Sequence, residues 1–332
     1  MEDVAKLAGV SLKSVSRVIN AEPHVSLKLR TKVEAAIAEL KYVPDMAARS
    51  LAGSRAFIVG LMFDNPSPSY TMKIQKGAYD ACRDNQYHLR VDNIDSTVPL
   101  EEFEAQLSAM LRNSRCDGFV LTPPLTDNLH LLEYLDKAGM RYVRIAPDVE
   151  RERSPGVCID DAAGAAAMAR HLWELGHRRF AIVGGPLSHG AAVRRREGFI
   201  AELQRLGLTE PIVEANGEFA FEAGIQAGRD VLSANPRPTA IFAGNDDSAA
   251  GVIVACAQLG LTVPRDVSVC GFDDSWIAKS VWPYLTTVYQ PMEEMGRAAA
   301  LLLLRRDEPE NVIHNMDFHL VLRDSTAPPP DA

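Results

Sequence analysis

Two kinds of residue spacing in this chain could do chemistry. The first is cationic. Lys13 and Arg17 stand four apart in Ser11-Leu-Lys-Ser-Val-Ser-Arg-Val-Ile19, one helical turn, so both project from one side while Val15 and Val18 face the other. Side chains displayed in this way can make paired hydrogen bonds to guanine O6 and N7 in a major groove. The second is a set of polar residues closing apolar runs: Asp64-Asn65-Pro66, Gly184-Gly185-Pro186, Gly244-Asn245-Asp246 and Asp273-Asp274. In open α/β sheets ligands bind at such strand ends, although Asp and Asn there also serve as helix caps and turn formers. Catalysis is not signalled: the chain has no G-x-x-x-x-G-K-[ST], G-x-S-x-G or H-E-x-x-H pattern. Ser188 lies beside His189, but adjacent residues are rarely oriented as nucleophile and base. The five cysteines and eight histidines show no metal-ligand spacing, so no cofactor or metal is expected.

The elements that must position these groups differ along the chain. Glu2 to Ala8 has Val4, Leu7 and Ala8 at helical spacing and stops at Gly9; Ser11 can then cap a second helix through Ile19. A tight turn between two such helices is a helix-turn-helix, with Leu12, Lys13 and Ser14 on the exposed first turn of its second helix. The competing reading is a plain helical hairpin with solvated bases. A third helix starts at Val25-Ser26, and Val4, Leu7, Val15, Val18, Ile19, Val33, Ile37 and Leu40 can share one small core. Tyr42–Gly53 reads as a helix of barely two turns, with Asp45 four residues before Arg49, or as a linker; so short a helix is marginal in water.

From Arg55 onward the rhythm is short apolar runs alternating with Ala/Leu/Glu/Arg-rich stretches. Ala56–Phe63, Tyr87–Val91, Gly118–Leu121, Tyr142–Ile145, Phe180–Gly184, Ala240–Ala243 and Val267–Gly271 read as strands. That alternation predicts an α/β body of two doubly wound parallel sheets behind a small all-α headpiece. The expected segments are a headpiece over 1–43, a linker over 44–55, a body over 56–323 and a disordered tail over 324–332. Charge divides accordingly. Residues 1–55 carry net +3 and the rest −12, a small basic head on an acidic body, within a chain of 332 residues at net −9. No run reaches the ~20 apolar residues of a membrane span, and the acidic start is unlike a signal peptide, so a cytoplasmic protein with reduced cysteines is expected.

Asp3-Val-Ala-Lys-Leu-Ala-Gly-Val-Ser-Leu-Lys-Ser-Val-Ser-Arg-Val-Ile-Asn20, followed by the Val-Ser-led third helix and Tyr42-Val-Pro-Asp-Met-Ala-Ala-Arg-Ser-Leu-Ala-Gly53, resembles the lactose repressor (LacI/GalR) family of bacterial transcription regulators. Arg195-Arg-Glu-Gly-Phe199, Phe242-Ala-Gly-Asn-Asp246, Val267-Ser-Val-Cys-Gly-Phe-Asp-Asp274 and Leu285-Thr-Thr-Val-Tyr-Gln-Pro291 extend the match through the body. The resemblance implies a periplasmic-binding-protein-like body, a homodimer on near-palindromic double-stranded operator DNA, and a small effector. It divides the body into subdomains of about 56–158 plus 291–316 and about 159–290 plus 317–323. It places Leu12, Lys13, Ser14, Arg17 and Asn20 at the operator, with hinge residues Ala48 and Leu51 in the minor groove. It also places the effector on the Asp64–Tyr70 loop and at Arg195, Asn245 and Asp273, a set whose donors and acceptors suit the vicinal hydroxyls of a sugar or sugar derivative, while Tyr70, Phe219 and Trp276 are aromatic faces that can stack on a sugar ring. A purine or another metabolite is the alternative effector. A sugar-binding protein with no regulatory role is the alternative of another class, and the headpiece argues against it.

Overall fold

The computed structural model describes residues 1–19, 25–42, 55–113, 115–305 and 312–330. Asn20, the hinge residues Ala48 and Leu51, and residues 331–332 lie outside these. The chain divides into two units, Met1–Phe57 and Ile58–Ala332, each with its own core.

In the first unit α1 (Glu2–Ala8) ends where Gly9 turns left-handed at φ 62°, its N–H reaching back to the Ala5 and Lys6 carbonyls. The α2 helix (Leu12–Ile19) starts at Ser11, whose hydroxyl accepts from the Ser14 N–H at 3.1 Å. Ser26 caps α3 (Leu27–Glu39) in the same way through the Leu29 N–H. The core is Val4, Ala5, Val15, Val18, Val33 and Ala36, with Ile19 and Ile37 packed at its edge. Two expected members are not in it. Leu7 is 45% exposed and Leu40 43%, because α1 turns its Val4-Ala5-Ala8 face inward and α3 its Val33-Ala36 face. Alanines at these positions let three short helices approach closely.

The second unit opens with β1 (Ile58–Phe63), α4 (Pro68–Asp84), β2 (His88–Asn93), α5 (Leu100–Asn113), β3 (Gly118–Leu121), α6 (Leu129–Lys137), β4 (Tyr142–Ile145) and β5 (Gly156–Ile159). It continues with α7 (Asp161–Glu174), β6 (Phe180–Gly184), α8 (Gly190–Arg205), β7 (Val213–Asn216), α9 (Phe221–Leu232), β8 (Ala240–Ala243), α10 (Asp246–Gln258), β9 (Ser268–Cys270), β10 (Thr287–Tyr289), α11 (Met292–Leu304), β11 (Ile313–Met316) and β12 (His319–Val321). One sheet has the order β11-β5-β4-β3-β1-β2 and the other β7-β6-β8-β9, both parallel throughout; β10 and β12 pair antiparallel.

Burial on both faces explains the unbroken apolar strands. On β1, Val59, Leu61 and Phe63 point into a core shared with α4 and α11, while Met62 points into the core under α5 and α6. In the second sheet Ala181 and Val183 join the core of α9 and α10, while Phe180 and Ile182 join that of α7 and α8. The strands without a strong sequence signal are short or lie at edges: β7 alternates half-buried with exposed residues, and β11 pairs only through β5. Among the described residues no helix is long and apolar enough to cross a membrane.

The expectation of disorder from Asp324 is overturned for 324–330. Ser325 is fully buried; its carbonyl accepts from Val269 N–H at 2.9 Å and its hydroxyl from Thr286 N–H at 2.8 Å. Buried His177 donates through Nε2 to the Ala327 carbonyl at 2.9 Å and accepts the Thr239 hydroxyl at Nδ1. Burial holds its pKa down at about 4, so the ring is neutral. The segment is ordered because its backbone satisfies groups that β9 and its flank would otherwise bury unpaired.

The α4 and α11 helices meet backbone to backbone. A Cβ on Gly77 would lie 1.7 Å from the Glu293 carbonyl oxygen, and one on Gly296 would lie 2.2 Å from that of Ile74. Gly77→Ala is therefore expected to force the helices apart and lower stability by about 1–3 kcal/mol, read as a lower urea midpoint. An unchanged midpoint would refute this account of the contact.

Candidate functional site

The headpiece presents one candidate surface. Leu12 and Lys13 are exposed, Ser14 and Arg17 are half-buried, and Val15 and Val18 hold α2 from beneath. Ser14 also shares a hydroxyl contact with Ser11 at 2.9 Å, which ties it to the cap. Exposed Lys13 and half-buried Arg17 are one turn apart on the first two turns of a helix anchored by its other face, which is the geometry a major groove accepts.

The second candidate is a narrow cleft in the body, lined from the first sheet's side by Asn65, Ser67, Tyr70, Pro123 and Ala146. The second sheet's side supplies His189, Ala191, Arg195, Phe219, Asn245 and Asp273, with Gln290 on the return segment. Its centre is Arg195. This guanidinium is 5% exposed, and α8 delivers it to a site where Nε donates to Asp161 at 2.8 Å, Nη1 to the Gly244 carbonyl at 2.7 Å and to Asp273 at 3.4 Å, and Nη2 to Gln290 at 3.1 Å. Its plane covers the Phe272 ring at 3.7 Å. Burial alone would lower its pKa, but Asp161 and Asp273 outweigh that and raise it.

The surrounding groups carry the complementary shifts. Burial pushes Asp273 up to about 7 against the pull of Arg195, with Asp247 and Asp161 adding to the rise. Burial raises Asp161, opposed by Arg195, and raises Asp247, opposed by the Ser67 hydroxyl. His189 is held down at about 4 by burial, so it is a neutral ring, edge-on to Phe219 at 5.5 Å. Tyr70 is raised by burial and then by Asp273, and its buried hydroxyl has no hydrogen-bond partner among the described residues.

Polar ties cross the cleft. Ser67, which caps α4 through the Tyr70 N–H, donates its hydroxyl to Asp247 at 2.6 Å. Lys73 Nζ donates to the Asp274 carbonyl at 2.8 Å, and Arg194 pairs with Asp148. Both layers thus close on one another in this structure.

Of the residues expected at the effector, Tyr70, Arg195, Phe219, Asn245 and Asp273 come together. Asn245 does so as a cap: its Oδ1 accepts from Ser248 N–H at 2.9 Å and its Nδ2 donates to the Phe219 carbonyl at 3.0 Å. Two do not arrive. Asp64 turns its carboxylate to the Ser96 N–H and hydroxyl, because that loop needs an acceptor. Trp276, 62% exposed, stands outside the lining, since the short helix over Trp276–Lys279 turns Ala278 inward instead. Asp161, His189, Asp247 and Gln290 join the site without being singled out by the sequence, while Ser67 lies in the Asp64–Tyr70 loop and carries the local sign of a helix cap before Pro68. Asp161 and Asp247 read as first-turn helix acids, and nothing local marks His189 or Gln290.

Residues 1–45 match the family described as bacterial regulatory proteins, lacI family, and residues 169–326 match the periplasmic binding protein-like domain. The chain is 35% identical over 313 residues to the ribose operon repressor of Escherichia coli K12, covering 92% of each. It is 36% identical over 314 residues to the HTH-type transcriptional repressor PurR of Proteus mirabilis, covering 92% of this chain and 89% of that one. The solved structure of the lac repressor dimer bound to operator and the anti-inducer ONPF superposes with TM-score 0.77 at 28% identity, over 98% of both chains.

Removing the buried cation should leave Asp161 and Asp273 facing each other without compensation. Arg195→Ala is expected to lose about 3–5 kcal/mol at pH 8, and less at pH 5.5, where protonation relieves the repulsion. A thermal unfolding series against pH reads this, and a deficit that does not shrink with acid would contradict it.

Proposed function

The chain belongs to the lacI family of bacterial regulatory proteins, and from that premise we propose that it is a sequence-specific transcriptional repressor whose operator affinity is set by a small effector. It acts as a homodimer, placing two copies of α2 in successive major grooves of a near-palindromic site, where Lys13 and Arg17 read base edges and Leu12 meets a thymine methyl. Ala48 and Leu51 act at the centre of the site, Leu51 as an apolar wedge that kinks the duplex.

One observation carries the effector half of this reading. Arg195 is already paired with Asp161 and Asp273, His189 is neutral, and Lys73 stands outside the lining with its ammonium on the Asp274 carbonyl, so the lining residues offer no spare cation to a phosphate or carboxylate. Its polar groups suit a neutral ligand rich in hydroxyls, whose protons meet the carboxylate oxygens while the ring lies against Phe219 or Tyr70. A sugar fits this best. A purine is the second reading, favoured by the similarity to PurR.

A thermal-shift screen against pentoses, hexoses, sugar phosphates and purines separates these readings, since a ligand at 100 times its Kd adds about 2.7 kcal/mol. A shift with neutral sugars and none with sugar phosphates is expected; stabilisation by purines alone would replace the sugar reading. For the operator half, a duplex selected from a random pool should be near-palindromic. Arg17→Ala should then cost about 1–3 kcal/mol per lost base contact on that duplex and much less on a scrambled one. Equal losses on both duplexes would remove Arg17 from base reading.

A further inference from the structure

The closed cleft holds more buried carboxylates than cations. Arg195 is the guanidinium at its centre; Asp161 at the start of α7 and Asp273 after β9 face it, and Asp247 on α10 acts on Asp273 from beside them. They are not equally compensated. Asp161 has the Arg195 Nε at 2.8 Å, and Asp247 has the Ser67 hydroxyl at 2.6 Å. Among the described residues the Asp273 carboxylate has only a 3.4 Å contact to Nη1, a group already committed to the Gly244 carbonyl at 2.7 Å. Every element packed around Asp273 adds its own charge. The α4 helix brings Tyr70 and Lys73, of which Lys73 gives its ammonium to the Asp274 carbonyl; α10 brings Asp246 and Asp247; its own loop brings Asp274, which is paired with Arg323. Asp246 is fully buried within the second layer, where Thr287 and the Ser275 N–H bond both its oxygens, so closure does not change its surroundings. Asp273 differs, because the α4 side of the first layer is what covers it.

We propose that closing the cleft takes up a proton on Asp273, so that acid favours the closed body even without a ligand. The uptake itself rests only on the body's geometry; its consequence, an effector affinity that falls with rising pH, rests on the regulator reading above. The sign follows from linkage. In an opened, hydrated cleft the carboxyl releases its proton near the ordinary value of about 4, whereas in the closed one burial holds it up to about 7. The closed-to-open ratio therefore falls by up to about tenfold per pH unit as pH rises from near 4 towards 7, and levels off above. In the acid form Asp273 is also a donor, able to offer O–H to a ligand oxygen.

The test needs neither effector nor operator, so its failure is distinct from failure of the regulator reading. Dyes are placed on Leu129→Cys at the start of α6 and Leu187→Cys in the loop after β6, exposed positions in the two layers, with Cys116→Ser removing the half-buried thiol. Single-molecule energy transfer is recorded on the ligand-free full chain, diluted in unlabelled chain, from pH 5.5 to 8.5. The closed fraction is expected to rise steeply below pH 7. Asp273→Asn should be closed at every pH, whereas Ser67→Ala should shift the population open while keeping the slope. A flat wild-type profile, or an unchanged slope in Asp273→Asn, overturns the proposal. If Asp273→Asn does not fold, Asp247→Asn decides: an unchanged slope supports Asp273, and a lost one assigns the proton to Asp247 and overturns it.

Discussion

Burying one guanidinium is the constraint around which the body is organised. Taking Arg195 out of water costs several kcal/mol, and that cost is offset only if most of its N–H groups find acceptors and its charge finds a carboxylate. The acceptors come from separate stretches of chain: Asp161 at the head of α7, the Gly244 carbonyl after β8, Asp273 after β9 and Gln290 before α11. Each lies at the carboxyl end of a strand or at the crossover leaving one. The same arrangement that satisfies the cation therefore draws the strand ends of the second layer into one wall and leaves a polar cleft in front of it.

Helix N-termini complete that wall by a second use of the same loops. Asn245 caps α10, and Ser67 caps α4. Each cap also reaches further: Asn245 holds the Phe219 carbonyl, and Ser67 bonds Asp247 across the cleft. A residue that must be polar to start a helix is thereby available for a contact between layers. This is why caps and ligand-lining residues coincide here, and why a shift between the layers is felt at once by the helices that border the cleft.

The headpiece works under a different limit. Its buried core is built from valines and alanines of short helices, so its outer face can carry Leu12, Lys13 and Arg17 without burial requirements of their own. Net +3 on this small unit against −12 on the remainder keeps phosphate attraction with the part that meets DNA and repels the acidic body from it.

The sequence by itself determined the elements and their order wherever a residue type has a local physical reason: Gly9 ending α1, Ser11 and Ser26 starting helices, the apolar runs that became β1, β3, β4, β6 and β8, and the lacI-type motifs spread along the chain. Arg195 and Asp273 were legible through those motifs. Tertiary structure alone decided the rest. Asp64 and Asp273 look alike as strand-end acids, but one is taken by Ser96 and the other faces Arg195, a difference set by residues 32 and 78 positions away. Ser67 meets Asp247 across 180 residues, and the Pro-rich tail is ordered by hydrogen bonds to His177, Ser268 and Thr286 that no local pattern encodes. Short-range propensity fixes caps and strands because their partners lie within a few residues. Partners far apart in sequence are fixed only when two sheets close on one buried charge.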